Sequence, residues 1–234
     1  MELFYSTAIE DNTISLDEVE SAHCLRVLRH KIGDPIAVTD GKGNSYKGII
    51  SAASKICKVE ITAHHFENPT SNQLHIAIAP PKSIDRFEWF LEKATELGIE
   101  KITPLQCRYS ERKHINAERC SKILLSAMKQ SNRVYLPLLH EMMSFEKFIT
   151  TASPAKKLIA HCEESVKITL EKSISAAQII VLIGPEGDFS QHEIKLANDA
   201  GYENISLGEK RLRTETAALH VCSAFALKNR SGQS

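Results

Sequence analysis

The chain has 234 residues, room for one large domain or two smaller ones that each bury a core. Hydrophobic residues make up 42% and charged residues 25%, the balance of an ordinary globular protein, and no apolar run approaches the roughly 18 residues of a membrane span. With 29 basic and 29 acidic residues the formal net charge is zero, which argues against wholesale wrapping of nucleic acid and leaves local positive patches.

The amino-terminal stretch MELFYSTAIEDNT brings in acids and amides early, unlike the basic start and apolar block of a signal peptide. Residues 1–67 then read as short β-type runs, Leu3–Tyr5, Ile36–Thr39, Tyr46–Ile50 and Cys57–His64. Gly33-Asp34-Pro35 and Asp40-Gly41-Lys42-Gly43-Asn44 mark turns, because Gly, Asn and Asp tolerate positive φ and Pro presets a turn. A helix is predicted over Leu16–His30, with Asp17 and Glu18 in its first turn. Several short strands with one helix suggest a small barrel.

That helix carries His23, Arg26, Arg29 and His30, followed by Lys31, with no acid among them. At helical spacing Arg26, Arg29 and His30 share a face and His23 adjoins Arg26, so an outside anion such as a phosphate backbone would relieve their repulsion. A plainly solvated face is the other reading.

The polar, Pro-broken stretch Glu67-Asn68-Pro69-Thr70-Ser71-Asn72 reads as a linker. From Gln73 the rhythm becomes strand and helix in alternation. Strands are expected at Leu74–Ala79, Lys101–Leu105, Leu158–His161, Ile179–Ile183 and Ile205–Leu207. Helices are expected at Ile84–Leu97, closed by Gly98, and at Glu118–Ser131, Ser190–Ala200 and Thr214–Leu227. Ser190 with Glu193 forms a capping-box pattern, and Thr214 is placed to cap the last helix. Alternation of this kind predicts an α/β domain over 73–234 with a largely parallel sheet.

In such sheets ligands bind beyond the carboxyl ends of strands. The run Ile179–Ser190 carries a buried-type strand straight into Gly184-Pro185-Glu186-Gly187, then into a capped helix. Its glycines permit close backbone approach and Glu186 adds a carboxylate; a tight turn without ligand is the alternative. The stretch Leu207–Ala217 has the same layout, with Lys210, Arg211 and Arg213 gathered at a strand's end, and a solvated charge run is the alternative there. Gln130, Ser131, Asn132 and Arg133 close another helix, and Gln130 offers donor and acceptor together for a base edge. No phosphate loop follows any strand. The cysteines Cys24, Cys57, Cys107, Cys120, Cys162 and Cys222 lack paired or metal-ligand spacing, so they read as reduced thiols of a cytosolic protein with no metal site.

Together these residues resemble a known family. Gly184-Pro185-Glu186-Gly187 with Phe189, Ser190 and Glu193, then Leu207–Ala217, is similar to the RsmE family of 16S rRNA uridine-N3 methyltransferases in the SPOUT superfamily. His23–Arg29, Lys93–Ile99 and Gln130-Ser131 before Pro137 match in order and spacing, so five motifs stand in register over nearly the whole chain. Asp188 stands where many relatives have a second Gly, and Lys129 where an acid often precedes the Gln.

The resemblance implies a PUA-like RNA-binding β-barrel over 1–67, then an α/β SPOUT methyltransferase domain over 73–234 with a carboxyl-terminal trefoil knot. It further implies a cytoplasmic homodimer acting on 16S rRNA or the small ribosomal subunit. By the same resemblance Ile183, Gly184, Pro185, Glu186, Gly187, Leu207, Gly208 and Leu212 hold S-adenosylmethionine, while Thr214, Glu215 and Thr216 close its site. Arg213 becomes the candidate catalytic residue, and His23, Arg26, Arg29, Gln130 and Arg133 the candidate RNA contacts. A ribose 2′-O-methyltransferase of the same superfamily, or a catalytically silent RNA-binding protein, are the rival expectations.

Overall fold

Alternating apolar and polar residues in the first part of the chain build six short strands. In the computed structural model, which describes residues 2–151, 153–174 and 177–230, these are β1 (Leu3–Tyr5), β2 (Ala8–Glu10), β3 (Thr13–Ser15), β4 (Pro35–Thr39), β5 (Asn44–Ala53) and β6 (Cys57–Phe66). They form one sheet in the order β1-β4-β5-β6-β3-β2. The β1–β4 pair is parallel and the other pairs are antiparallel. Phe4, Ile14, Leu16, Ile36, Val38, Ile50 and Val59, with Cys24 and Cys57, make the buried core beneath it. β2 and β3 are three residues each, too short for a periodic signal, and the sequence reading missed them.

Asp17 starts α1 (Glu18–Ala22) by accepting the Glu20 amide at 2.7 Å. A π turn over His23–Val27 follows, and Arg29 takes φ 61. The single helix expected to reach His30 therefore ends early. The wider π turn and the left-handed Arg29 break the α spacing that put Arg26, Arg29 and His30 on one face.

The chain divides into two compact units. One takes in the chain up to Pro69 together with Leu125–Leu136; the other takes Thr70–Leu124 and the chain from Pro137 onward. The segment Leu125–Leu136 is stitched to its unit by backbone bonds. The Gly43 amide donates to Val134 and the Leu136 amide to Gly41, each at 2.9 Å. Gly43 sits at φ 99, and a Cβ there would come within 2.3 Å of the Tyr135 hydroxyl, so only glycine fits.

The second unit holds an all-parallel sheet. Its strands are β7 (Gln73–Ile78), β8 (Lys101–Gln106), β9 (Leu138–Leu139), β10 (Met143–Ser144), β11 (Lys156–Ala160), β12 (Ile168–Thr169), β13 (Gln178–Ile183) and β14 (Glu203–Ser206). The order is β10-β8-β7-β13-β11-β14-β12, with β9 also pairing β8. The helices are α2 (Ile84–Leu97), α3 (Ala117–Gln130), whose residues from Leu125 onward belong to the first unit, α4 (Phe145–Ile149), α5 (Leu170–Ser173), α6 (Gln191–Asp199) and α7 (Thr214–Arg230). Residues 179–183 of β13 are all buried, as a central parallel strand covered on both faces requires. On one face Phe145, Phe148, Phe189, Ile194 and Tyr202 pack with Leu105, Ile159 and Leu182. Each such side chain contributes roughly 1.5–3 kcal/mol by leaving water. Gly98 closes α2 at φ 89, and Ser190 and Glu193 form the anticipated capping box on α6.

Candidate active site

β13, β11 and β14 lie side by side and run parallel, so their carboxyl ends open on the same edge. Beyond that edge is a cavity of about 620 Å³. Of the residues expected to hold a cofactor, Ile183, Gly184, Pro185, Glu186, Leu207, Gly208, Leu212 and Thr214 line it, as does Arg213. Gly187 lines a neighbouring cavity instead. Glu215 and Thr216 lie in the first turn of α7 and are not among the lining residues. Glu215 is buried with Arg86 Nε 3.8 Å from its carboxylate, whereas Thr216 is exposed.

The two loops are held by specific bonds. The buried Thr214 hydroxyl donates to the Gly184 carbonyl at 3.1 Å, so it ties loop to loop instead of capping its own helix. The Lys82 amide donates to Glu186 at 3.0 Å, which gives that carboxylate a fixed place at the rim. Asp188 takes φ 64, a conformation that costs a β-carbon but not a glycine. Its carboxylate compensates locally, accepting the Cys162 and Phe189 amides at 2.7 Å each. These two bonds offset the backbone cost of an aspartate at this position.

The sequence reading missed the wall supplied by β11. Ala160, His161, Cys162 and Lys167 line the cavity, as do Asp188, Ile205, Ser206 and residues 209–211. The apolar run at Leu158–His161 was the available signal, since the crevice rule applies to its carboxyl end as much as to β13. The buried His161 sits 3.0 Å through Nε2 from Asn204 Oδ1, while its Nδ1 has no hydrogen-bond partner among the described residues. Burial pushes its pKa below the ordinary histidine range.

The five candidate RNA contacts all fall in the first unit. His23 lies 3.1 Å from Glu2, while Arg26, Arg29 and Gln130 are exposed and Arg133 is half-buried. His30 pairs with Asp34 at 3.3 Å. Lys129 pairs with the buried Glu20, whose other oxygen accepts the Tyr5 amide at 3.0 Å. Its charge is therefore matched inside the protein. Among the described residues no group of His, Cys, Asp and Glu could hold a metal, and no helix is long and apolar enough to cross a membrane.

Comparison with known proteins agrees with this geometry. Residues 67–226 match the RNA methyltransferase domain family, and residues 16–61 match the RNA methyltransferase PUA domain. The ribosomal RNA small subunit methyltransferase E of Rickettsia conorii is 29% identical, with 95% of this chain and 93% of the relative covered. A crystal structure of a "probable rRNA-methyltransferase" from Porphyromonas gingivalis superposes at TM-score 0.92, with 36% identity over 100% of both chains. The small subunit methyltransferase E of Neisseria gonorrhoeae, solved bound to S-adenosyl methionine, superposes at TM-score 0.84 with 27% identity over 97% of this chain and 98% of that one. With an α/β sheet, a PUA-type amino-terminal region and a strand-end cavity bounded by both family loops, the chain belongs to the ribosomal RNA small subunit methyltransferase E family.

Proposed function

We propose that this protein transfers a methyl group from S-adenosylmethionine to N3 of a uridine in 16S rRNA. The observation that carries this reading is the convergence of three parallel strand ends on one cavity walled by two loops that Thr214 ties together. Its volume falls in the roughly 300–1,000 Å³ range of small-molecule sites. Ile183, Pro185, Ile205, Leu207, Leu212 and Ala217 give apolar walls between stretches of loop backbone and charged side chains. That mixture suits a nucleoside joined to a zwitterionic amino-acid tail. The unpartnered Nδ1 of His161, a residue of this wall, adds a buried polar atom in want of a partner. Glu215 and Thr216 back the site from the start of α7, and Gly187 closes the far side of the β13 loop.

When bound, the cofactor supplies a methyl group made electrophilic by its sulfonium, so the chain has no donor to activate. Its task is to align the acceptor, worth up to roughly 7–11 kcal/mol of barrier, and to stabilise charge. Uracil N3 becomes nucleophilic as its proton passes to a base, for which Glu186, Glu215 and solvent are the candidates, and negative charge then spreads to the ring oxygens. Arg213, exposed at the cavity wall, offers its guanidinium to those oxygens. The first unit would hold the surrounding rRNA through His23, Arg26, Arg29, Gln130 and Arg133. The carboxyl-terminal loops would close as the trefoil knot of SPOUT enzymes, in a cytoplasmic homodimer acting on the small ribosomal subunit or its RNA.

Methyl transfer from labelled S-adenosylmethionine to small-subunit particles and to free 16S rRNA, followed by nucleoside analysis, tests the reading. Labelled 3-methyluridine supports it. Label on a ribose moves the chain to 2′-O-methylation, and failure to bind the cofactor in calorimetry marks a silent RNA-binding protein.

A further inference from the structure

Beyond the Gly187–Asp188 turn lies a second cavity, of about 660 Å³, that shares Cys162, Asp188 and Arg211 with the first. Tyr109 lines it and is half exposed, at 51%, although it is a large aromatic side chain. The backbone under it is fixed. The Arg108 amide donates to Glu193 at 2.8 Å, and the same buried carboxylate accepts the Ser190 amide and hydroxyl at 2.8 Å each. The Cys107 amide donates to the Ser110 hydroxyl at 2.9 Å, and the Ser110 amide returns to the Cys107 carbonyl at 3.1 Å. Gly187 lets the ring come close: a Cβ there would stand 3.0 Å from that of Tyr109.

A base can be methylated at N3 only when it has left its pair and its stack, and it then needs a replacement surface beside the methyl donor. An exposed aromatic ring on a rigid turn, one glycine away from the candidate cofactor cavity, meets that need. We propose that this second cavity receives the target nucleotide, with its base stacked on Tyr109. The inference rests on the methyltransferase reading above. Arg108 and Arg211 line the same cavity without an ion-pair or hydrogen-bond partner for either guanidinium among the described residues. Glu163 and Glu164 line it too, so its charge is mixed and the ring, more than the charge, supplies the binding surface. A single base fits such a pocket better than a continuous polyanion does. Arg211 borders both cavities and marks where base and methyl group would meet.

The test uses the full chain, labelled S-adenosylmethionine and 16S rRNA. Stacking on one aromatic ring corresponds to about a ten- to hundredfold effect. Tyr109→Ala is expected to lower kcat/KM for RNA by about that factor, with the Kd for S-adenosylmethionine unchanged in calorimetry; Tyr109→Phe, which keeps the ring, recovers most of it. Transfer by the unaltered protein that Tyr109→Ala leaves at full kcat/KM overturns the inference alone. A Tyr109→Ala variant that binds the cofactor more weakly overturns it as well, because the cavity then serves the cofactor. Absence of transfer by the unaltered protein overturns the methyltransferase reading beneath it.

Discussion

The Thr214 hydroxyl donates to the Gly184 carbonyl at 3.1 Å across 30 residues of chain, and both residues are buried. One bond thus connects the loop after β13 to the start of α7, the two segments that bound the candidate cofactor cavity. Removing the hydroxyl while keeping the shape leaves a buried carbonyl unsatisfied, at a cost of about 1–3 kcal/mol. Thr214→Val is therefore expected to lower unfolding stability by that amount and to weaken S-adenosylmethionine binding. Denaturant titration and calorimetry read the two effects. Unchanged stability with unchanged affinity would show that the bond does not hold the loops.

Arg213 is exposed at the same cavity and, in the proposed mechanism, acts only as charge develops on the base. Arg213→Ala should reduce kcat by about 10²–10³-fold while cofactor affinity stays constant, the pattern of an interaction made in the transition state. Arg213→Lys keeps the charge but loses the forked donor geometry, and an intermediate rate is expected. Single-turnover methyl transfer measures both. A full rate for the alanine variant removes Arg213 from the mechanism.

Asp188 combines a left-handed backbone with two amide-accepting oxygens, so its substitutions should separate. Asp188→Ala keeps the backbone strain and loses both bonds, an expected loss of about 1–3 kcal/mol. Asp188→Gly loses the same bonds but relieves roughly 1–2 kcal/mol of strain, so it should sit nearer the parent protein. Thermal unfolding of the two variants gives the ranking. An alanine variant as stable as the glycine variant would contradict the account.

His75 bonds through Nε2 to the buried Thr103 hydroxyl at 2.7 Å, and that hydroxyl lies 2.7 Å from His140 Nδ1. Burial, with the neighbouring His140 and Lys101 charges, lowers the His75 pKa from 6.5 to about 3; burial and Lys101 lower that of His140 as well. The unfolded chain therefore takes up protons below pH 6.5 that the folded chain refuses until about pH 3. Stability is fully present above pH 6.5 and falls as the solution is acidified through that window. His75 alone accounts for roughly 2 kcal/mol by pH 5. His75→Gln should flatten the pH dependence of unfolding between pH 7 and pH 4, and an unaltered slope would refute the assignment.

Local chemistry made much of this protein legible in its sequence. The β13 run is apolar at every position from 179 to 183, which a strand covered on both faces demands. α2 spans the predicted residues because its apolar positions recur every three or four and Gly98 supplies the left-handed stop. The Ser190–Glu193 cap could be read because its bonds are made within a few residues, and the two glycine-bearing loops because their glycines punctuate the ends of strand-like runs. Tertiary structure decided the rest, where partners are distant in sequence. That Lys129 meets Glu20, that residues 125–136 join the first unit, and that β11 supplies a cavity wall all depend on pairings no local pattern encodes. The π turn at His23–Val27 escaped for a related reason: its apolar and basic residues also suit an α-helix, and packing selected the wider turn. Within the second unit the sequence marked the longer strands and helices, because propensity and capping act locally. It missed β9, β10 and β12, of two residues each, and the single-turn α4 and α5, which are too short for a periodic signal. Only the fold decided which strand ends meet, because long-range pairing carries no signature in the segments themselves.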